Sequence, residues 1–148
     1  MAAEYRIAYT DSPEDADFTV IGLGIRSYNE QQAGVDGHRR LCLFLHAPDD
    51  TVVGGLTGST YFNWFSINLL WVKEEHRGQG HGRRLLALAE QEARRRGAKG
   101  AFLDTFSFQA PDFYRKNGYE VFGILQDFPE GHQRYYFRKQ LREPSEPM

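Results

Sequence analysis

One cysteine stands among 148 residues. It rules out an internal disulfide and suits a reducing compartment. That residue, Cys42, lies in the apolar run Leu41 to Leu45 and reads as a packed thiol rather than a nucleophile. No apolar run approaches the ~18 to 20 residues of a membrane span, so no membrane partner is expected. Met1 to Arg6 has neither a basic cluster nor an apolar stretch and does not resemble a secretory signal. The expected location is the cytoplasm. A net charge of −2 gives no general drive towards nucleic acid. The run Arg94-Arg95-Arg96 is explained by a helix C-terminus, where cations meet both solvent and the dipole. His38, His46, His76, His81 and His132 show no paired ligand spacing, and no metal site is expected.

What remains is ordinary for a globular protein: hydrophobic residues at 41% and charged residues at 26%. The length suits a single domain over residues 1–141. Arg142 to Met148, with Pro144 and Pro147 among alternating charges, is expected to be a disordered tail.

The informative stretch runs from Leu69 to Leu86. An apolar strand leads into a short charged loop, then Arg77-Gly78-Gln79-Gly80-His81-Gly82, then an amphipathic helix beginning at Arg83. Glycine at every second position lets the backbone approach a ligand closely. The unpaired N–H groups and positive dipole end of the helix point into the same turn. With Arg77, Arg83 and Arg84 alongside, this is an anion cradle suited to phosphate. It is not the nucleotide-hydrolase loop, which needs Lys followed by Ser or Thr after the glycines. The dinucleotide fingerprint fails too, because Leu85 stands where its third glycine belongs. The spacing that fits is R-x-x-G-x-G.

A second motif follows at Ala110-Pro111-Asp112-Phe113-Tyr114-Arg115-Lys116-Asn117-Gly118-Tyr119. Here a short helix is closed by Gly118. It fits A-x-x-F/L-Y-x-K-x-G-F/Y. Taken together, the two motifs resemble the GNAT superfamily of acyl-CoA-dependent N-acetyltransferases, over most of the chain from Tyr5 to Leu141.

Periodicity and punctuation give the remaining elements. Tyr5 to Tyr9 reads as a strand. Ser12 and Pro13 are placed to start a helix running towards Gln31 or Gln32, weakened or split at Gly22 and Gly24. Arg40 to His46, Thr51 to Tyr61 and Ser66 to Val72 read as strands, with a bulge or close approach at Gly54, Gly55 and Gly58. Helix Arg83 to Arg96 buries Leu85, Leu86, Leu88, Ala89 and Ala93 and ends at Gly97. Strand Gly100 to Thr105, the motif helix and a final hairpin of Val121 to Leu125 with Gln133 to Leu141 complete the chain. This order is α+β.

The resemblance implies a mixed, mostly antiparallel sheet with helices on both faces. Two parallel central strands, ending at Val72 and Thr105, splay into a V. Acetyl-CoA is the implied co-substrate and a small-molecule amine the implied partner. The pantetheine arm would pair with backbone of Leu70, Trp71 and Val72. The pyrophosphate would sit on Arg77, Gly78, Gln79, Gly80, His81, Gly82 and Arg83. Tyr114 stands at the position of the general acid and would also touch the cofactor. Ser107 replaces an Asn that contacts pantetheine in many members. No glutamate stands near the start of the strand before the cradle, where Ser66 and Asn68 occur, so Asp104 or water is the candidate base. Tyr28, Trp64, Asp127 and His132 are candidates for the acceptor side. A protein or peptide acceptor, and a non-catalytic acyl-CoA-binding module, are the alternatives. Homodimer formation is common in the family but is not readable from this chain.

Overall fold

The computed structural model describes residues 3–142; the tail expectation for 143–148 lies outside them. Two compact units are distinguished, Met1–Asp36 and Gly37–Met148. The first contains α1, an unbroken helix over Asp15–Ala33. Gly22 and Gly24 do not split it, as each costs a helix interior only about 1 kcal/mol. Ser12 does not cap it. The Ser12 hydroxyl donates to Asp11 Oδ1 at 3.2 Å, and the helix begins after Glu14, whose backbone is extended. Gly34, at φ 83°, ends it and donates to the Glu30 carbonyl at 2.9 Å. Tyr5 to Tyr9 forms no strand. Alternation supplies a face, but a strand exists only through a paired neighbour.

The second unit is built on a six-stranded sheet of order β1-β2-β3-β4-β6-β5. Its strands are β1 (Arg39–His46), β2 (Val52–Tyr61), β3 (Trp64–Val72), β4 (Gly100–Phe106), β5 (Glu120–Gln126) and β6 (Gln133–Gln140). Helix α2 (His81–Arg95) joins β3 to β4, and the six-residue α3 (Pro111–Lys116) joins β4 to β5. Every adjacent pair is antiparallel except β3 with β4.

The apolar face of α2 packs Leu86, Ala89 and Ala93 into a core with Leu56, Phe65, Leu103 and Phe137. Leu88 departs from the expected buried face and is 48% exposed, because it falls outside the helical stripe of Leu85, Leu86, Ala89 and Ala93. Cys42 is exposed rather than packed, pointing outward from the edge strand β1.

The β2 glycines serve close approach. A Cβ on Gly55 would stand 2.6 Å from the Leu43 carbonyl, and one on Gly58 would collide with the Ser66 carbonyl. The β2–β3 register shifts at Thr57/Gly58, which is the anticipated bulge.

The parallel pair positions the site. β3 and β4 are in register only over Trp64 to Ser66 against Gly100 to Phe102. Beyond Ser66 and Phe102 the strands pair no further, and this is the expected splay.

Candidate active site

A cavity of ≈ 670 Å³ lies along the splay. From β3 it is lined by Asn68, Leu69, Leu70, Trp71 and Val72, and from β4 by Asp104 and Thr105. His76, Arg77, Gly78, Gly80, His81, Gly82 and Arg83 bring the glycine turn to it, while Phe108, Gln109, Ala110, Phe113 and Tyr114 close the other side.

Antiparallel pairing decides which backbone groups face this space. The Lys73 N–H donates to the Val53 carbonyl at 2.8 Å, on the β2 side. Trp71 shares its parity, and its carbonyl would lie 2.8 Å from a Cβ on Gly54. Leu70 and Val72 therefore turn their N–H and C=O groups the other way, to the side where β4 has parted from β3. This revises the expectation for Trp71: its backbone is committed to β2, although the residue lines the cavity.

The glycine turn has the geometry of a cradle. Gly78 and Gly80 adopt φ of 76° and 82°, conformations that other residues reach only with strain. Nothing lies within 4 Å of a Cβ built on either, so it is the backbone conformation, not crowding, that requires glycine. Gly80 is the N-cap of α2 and offers no side-chain cap. Inside the helix the first bond comes from the Arg84 N–H to the Gly80 carbonyl at 3.1 Å. The N–H groups of His81, Gly82 and Arg83 precede it and are left for an anion. His81 also holds a buried Nδ1 with no hydrogen-bond partner. Open glycine backbone, free N–H groups and two arginines fit a polyphosphate.

Tyr114 is anchored from beneath. Its ring meets those of Phe113, Tyr119 and Phe137 at 5.2, 5.9 and 5.9 Å. Burial pushes its phenol up to about 12. A helix of six residues is too short to stand alone, and α3 is secured through its C-terminus. The Tyr119 N–H donates to the Tyr114 carbonyl at 3.0 Å. The Tyr119 hydroxyl donates to buried Glu90 on α2 at 2.7 Å. Lys139 donates to Glu90 and to the Asn117 carbonyl, each at 2.9 Å.

Asp104 lines the cavity as an ion-paired residue: Arg134 donates from Nε to Oδ2 at 2.7 Å, and its Nη2 lies 2.5 Å from the same oxygen. That pairing accounts for a carboxylate in this strand. The Arg134 guanidinium also lies over the rings of Phe106, Phe128 and Tyr136, at 5.3, 5.1 and 5.5 Å.

Several expected site residues sit elsewhere. Ser107 is outside the cavity lining, because its hydroxyl accepts the Gln133 N–H at 3.0 Å and ties the end of β4 to β6. Trp64 is at the closed end of the V, edge-on to Phe102 at 6.2 Å. Gln79 contributes no lining atoms. Asp127 caps its own loop by accepting the Gly131 N–H at 2.9 Å, and His132 packs edge-on to Phe108 at 5.0 Å; neither lines the cavity. Tyr28 belongs to α1 in the first unit. Gln109 is a lining residue that sequence reasoning missed. Its Oε1 accepts from the Thr105 hydroxyl at 2.9 Å and from the Phe106 N–H at 2.8 Å, closing the turn after β4. An amide following the strand gives little signal of this by itself.

Residues 4–119 match the model of the acetyltransferase (GNAT) family. The chain belongs to that family. An acetyltransferase of Agrobacterium fabrum is 37% identical over 115 residues, covering 78% of this chain and 84% of the relative. The blasticidin-S acetyltransferase of Streptomyces morookaense is 40% identical over 91 residues, covering 61% and 67%. A crystal structure of an acetyltransferase from Bacillus cereus superposes with a TM-score of 0.82 at 32% identity, covering 90% of this chain and 97% of that one. In this GNAT chain, then, the glycine turn, the open strand edge and Tyr114 surround one cavity.

Proposed function

We propose that this acetyltransferase moves an acetyl group from acetyl-CoA to a primary amine on a small molecule, by direct transfer in the cavity between β3 and β4. The observation that carries this is continuity: a polyphosphate cradle, an unpaired strand edge and a buried tyrosine share one cavity. Acetyl-CoA supplies an acetyl thioester open to attack by an amine, and a thiolate leaving group.

The chain's own groups divide the remaining work. N–H groups of the glycine turn and the α2 N-terminus, with Arg77 and Arg83, hold the phosphates. Leu70 offers its ladder groups to an amide-bearing arm, as a partner strand would. The Val72 N–H is the donor for negative charge building on the thioester oxygen. Tyr114, its phenol pushed up to about 12, keeps its proton at neutral pH and serves as donor to the departing sulfur. Water takes the amine's proton, since Arg134 already engages Asp104. A small-molecule acceptor is supported by the relative that takes its name from blasticidin-S.

Calorimetric titration with acetyl-CoA, CoA, NAD and ATP tests the reading, repeated with Gly80→Asp. Selective binding of the two CoA compounds, lost in the variant, is expected. Preference for NAD or ATP would overturn the proposal.

A further inference from the structure

The cavity's charge is lopsided. Arg77 and Arg83 bring positive charge from the cradle, and Asp104 is the single carboxylate in the lining. The Arg134 hydrogen bond and ion-pair contact both fall on Oδ2, and Oδ1 accepts no hydrogen bond among the described residues. A carboxylate can accept about four hydrogen bonds in all, so recognition capacity remains.

The surroundings suit a cation on a flat frame. Trp71 and Phe108 line the cavity while 56% and 55% exposed. Phe108 stacks on Phe106 at 5.3 Å and 5° between planes. Phe106 is in turn one of the three rings around the Arg134 guanidinium. One aromatic surface thus runs from a box already holding a planar cation to an exposed face in the cavity. Ring faces attract cations, and rings left in water favour an apolar or aromatic ligand.

We propose that Asp104 selects the acceptor: its Oδ1 receives a cationic group, ammonium or guanidinium, that the acceptor carries in addition to its reacting amine. Phe108 and Trp71 take the flat or apolar frame that joins the two nitrogens. The cation held there is a second one, because a carboxylate gripping the reacting nitrogen as ammonium would keep its lone pair occupied. The acceptor class is therefore an amine with a second positive charge across an apolar spacer. This rests on the acetyl-transfer reading above.

Two probes isolate the charge: para-xylylenediamine and para-methylbenzylamine share a ring and a reacting amine and differ by one cationic group. Thiol release from acetyl-CoA gives kcat/KM for each with the full chain. The diamine is expected to be preferred by about tenfold or more, the scale of a charge-assisted hydrogen bond. Asp104→Asn, shown folded by its melting curve, should bring the ratio close to one. Independently of any variant, the wild-type preference should shrink as salt rises from about 0.05 to about 0.5 M. Equal turnover of the two probes, turnover of neither while acetyl-CoA binds, or a preference indifferent to salt would overturn the inference. Failure to bind acetyl-CoA would instead bring down the acetyl-transfer reading, which separates the two.

Discussion

Arg77 reaches back five residues and donates its Nε–H to the Val72 carbonyl at 2.7 Å. The cradle's first arginine thereby fastens the end of β3, the residue whose N–H faces the splay. It caps the carbonyl beside that N–H while its terminal nitrogens remain available to phosphate. Arg77→Ala removes both roles, and acetyl-CoA affinity should fall at least about tenfold by calorimetry. Arg77→Lys keeps the charge but lacks the planar fork and should recover only part of the loss. Wild-type affinity in the alanine variant would show that Arg77 does neither.

Gly80 holds φ 82° at the N-cap of α2. Alanine there meets a left-handed strain of about 1 to 2 kcal/mol, which should appear in urea unfolding. Gly80→Asp adds a carboxylate where the helix N-terminus favours a bound anion. It should abolish detectable CoA binding, whereas alanine should only weaken it.

Tyr114→Phe leaves the ring packing on Phe113, Tyr119 and Phe137 intact and removes the proposed proton donor. Turnover should drop by about 10² or more, with acetyl-CoA affinity close to wild type. Unchanged turnover with any acceptor would remove Tyr114 from the chemistry.

Alkaline stability reports the same residue. Burial raises the phenol of Tyr114 to about 12, and burial next to Glu90 raises that of Tyr119 as well. Both bind their protons more tightly folded than unfolded. Their contribution is complete below the ordinary tyrosine value of about 10 and is lost as pH rises above it. For Tyr114 the loss between about pH 10 and 12 is roughly 3 kcal/mol. Unfolding free energy should therefore fall steeply above pH 10, and Tyr114→Phe should flatten the slope by about one proton.

The buried cluster behind α3 gives a stability test free of catalysis. Glu90 is 5% exposed and shares Lys139 and Tyr119 as partners. Lys139→Met strands a buried carboxylate with one neutral donor and should cost about 3 kcal/mol in urea unfolding. A cost below about 0.5 kcal/mol, the level of an ordinary surface substitution, would contradict the buried role.

The parts of this architecture that are local were readable from the chain. The glycine turn announces itself because positive φ at Gly78 and Gly80 admits few other residues, and α2 follows at once with a clear apolar stripe. The same holds for the close approaches at Gly55 and Gly58. What depends on a distant neighbour was not readable. Tyr5 to Tyr9 alternates like a strand, yet alternation alone pairs nothing. Ser107 looked like a ligand contact until Gln133 on β6 claimed its hydroxyl, and Trp64 looked like a pocket residue until the pairing with Gly100 put it at the closed end of the V. Asp104 was noticed as an oddity, but Arg134, thirty residues on, supplies the partner that explains it.

The three-residue register between β3 and β4 has a consequence for the molecule as a whole. Leu70 and Val72 form an edge in the middle of the sheet, not at its rim. A rim can be blunted by charge or twist, whereas an interior edge is finished only by whatever slides into it. A ligand bound there, as proposed, would act as a removable seventh strand. Its occupancy is coupled by mass action to the folding equilibrium, so the melting temperature should climb with ligand concentration. On the proposed reading, a saturating ligand concentration would then hold the two halves of the sheet together more firmly than the chain's own pairing does.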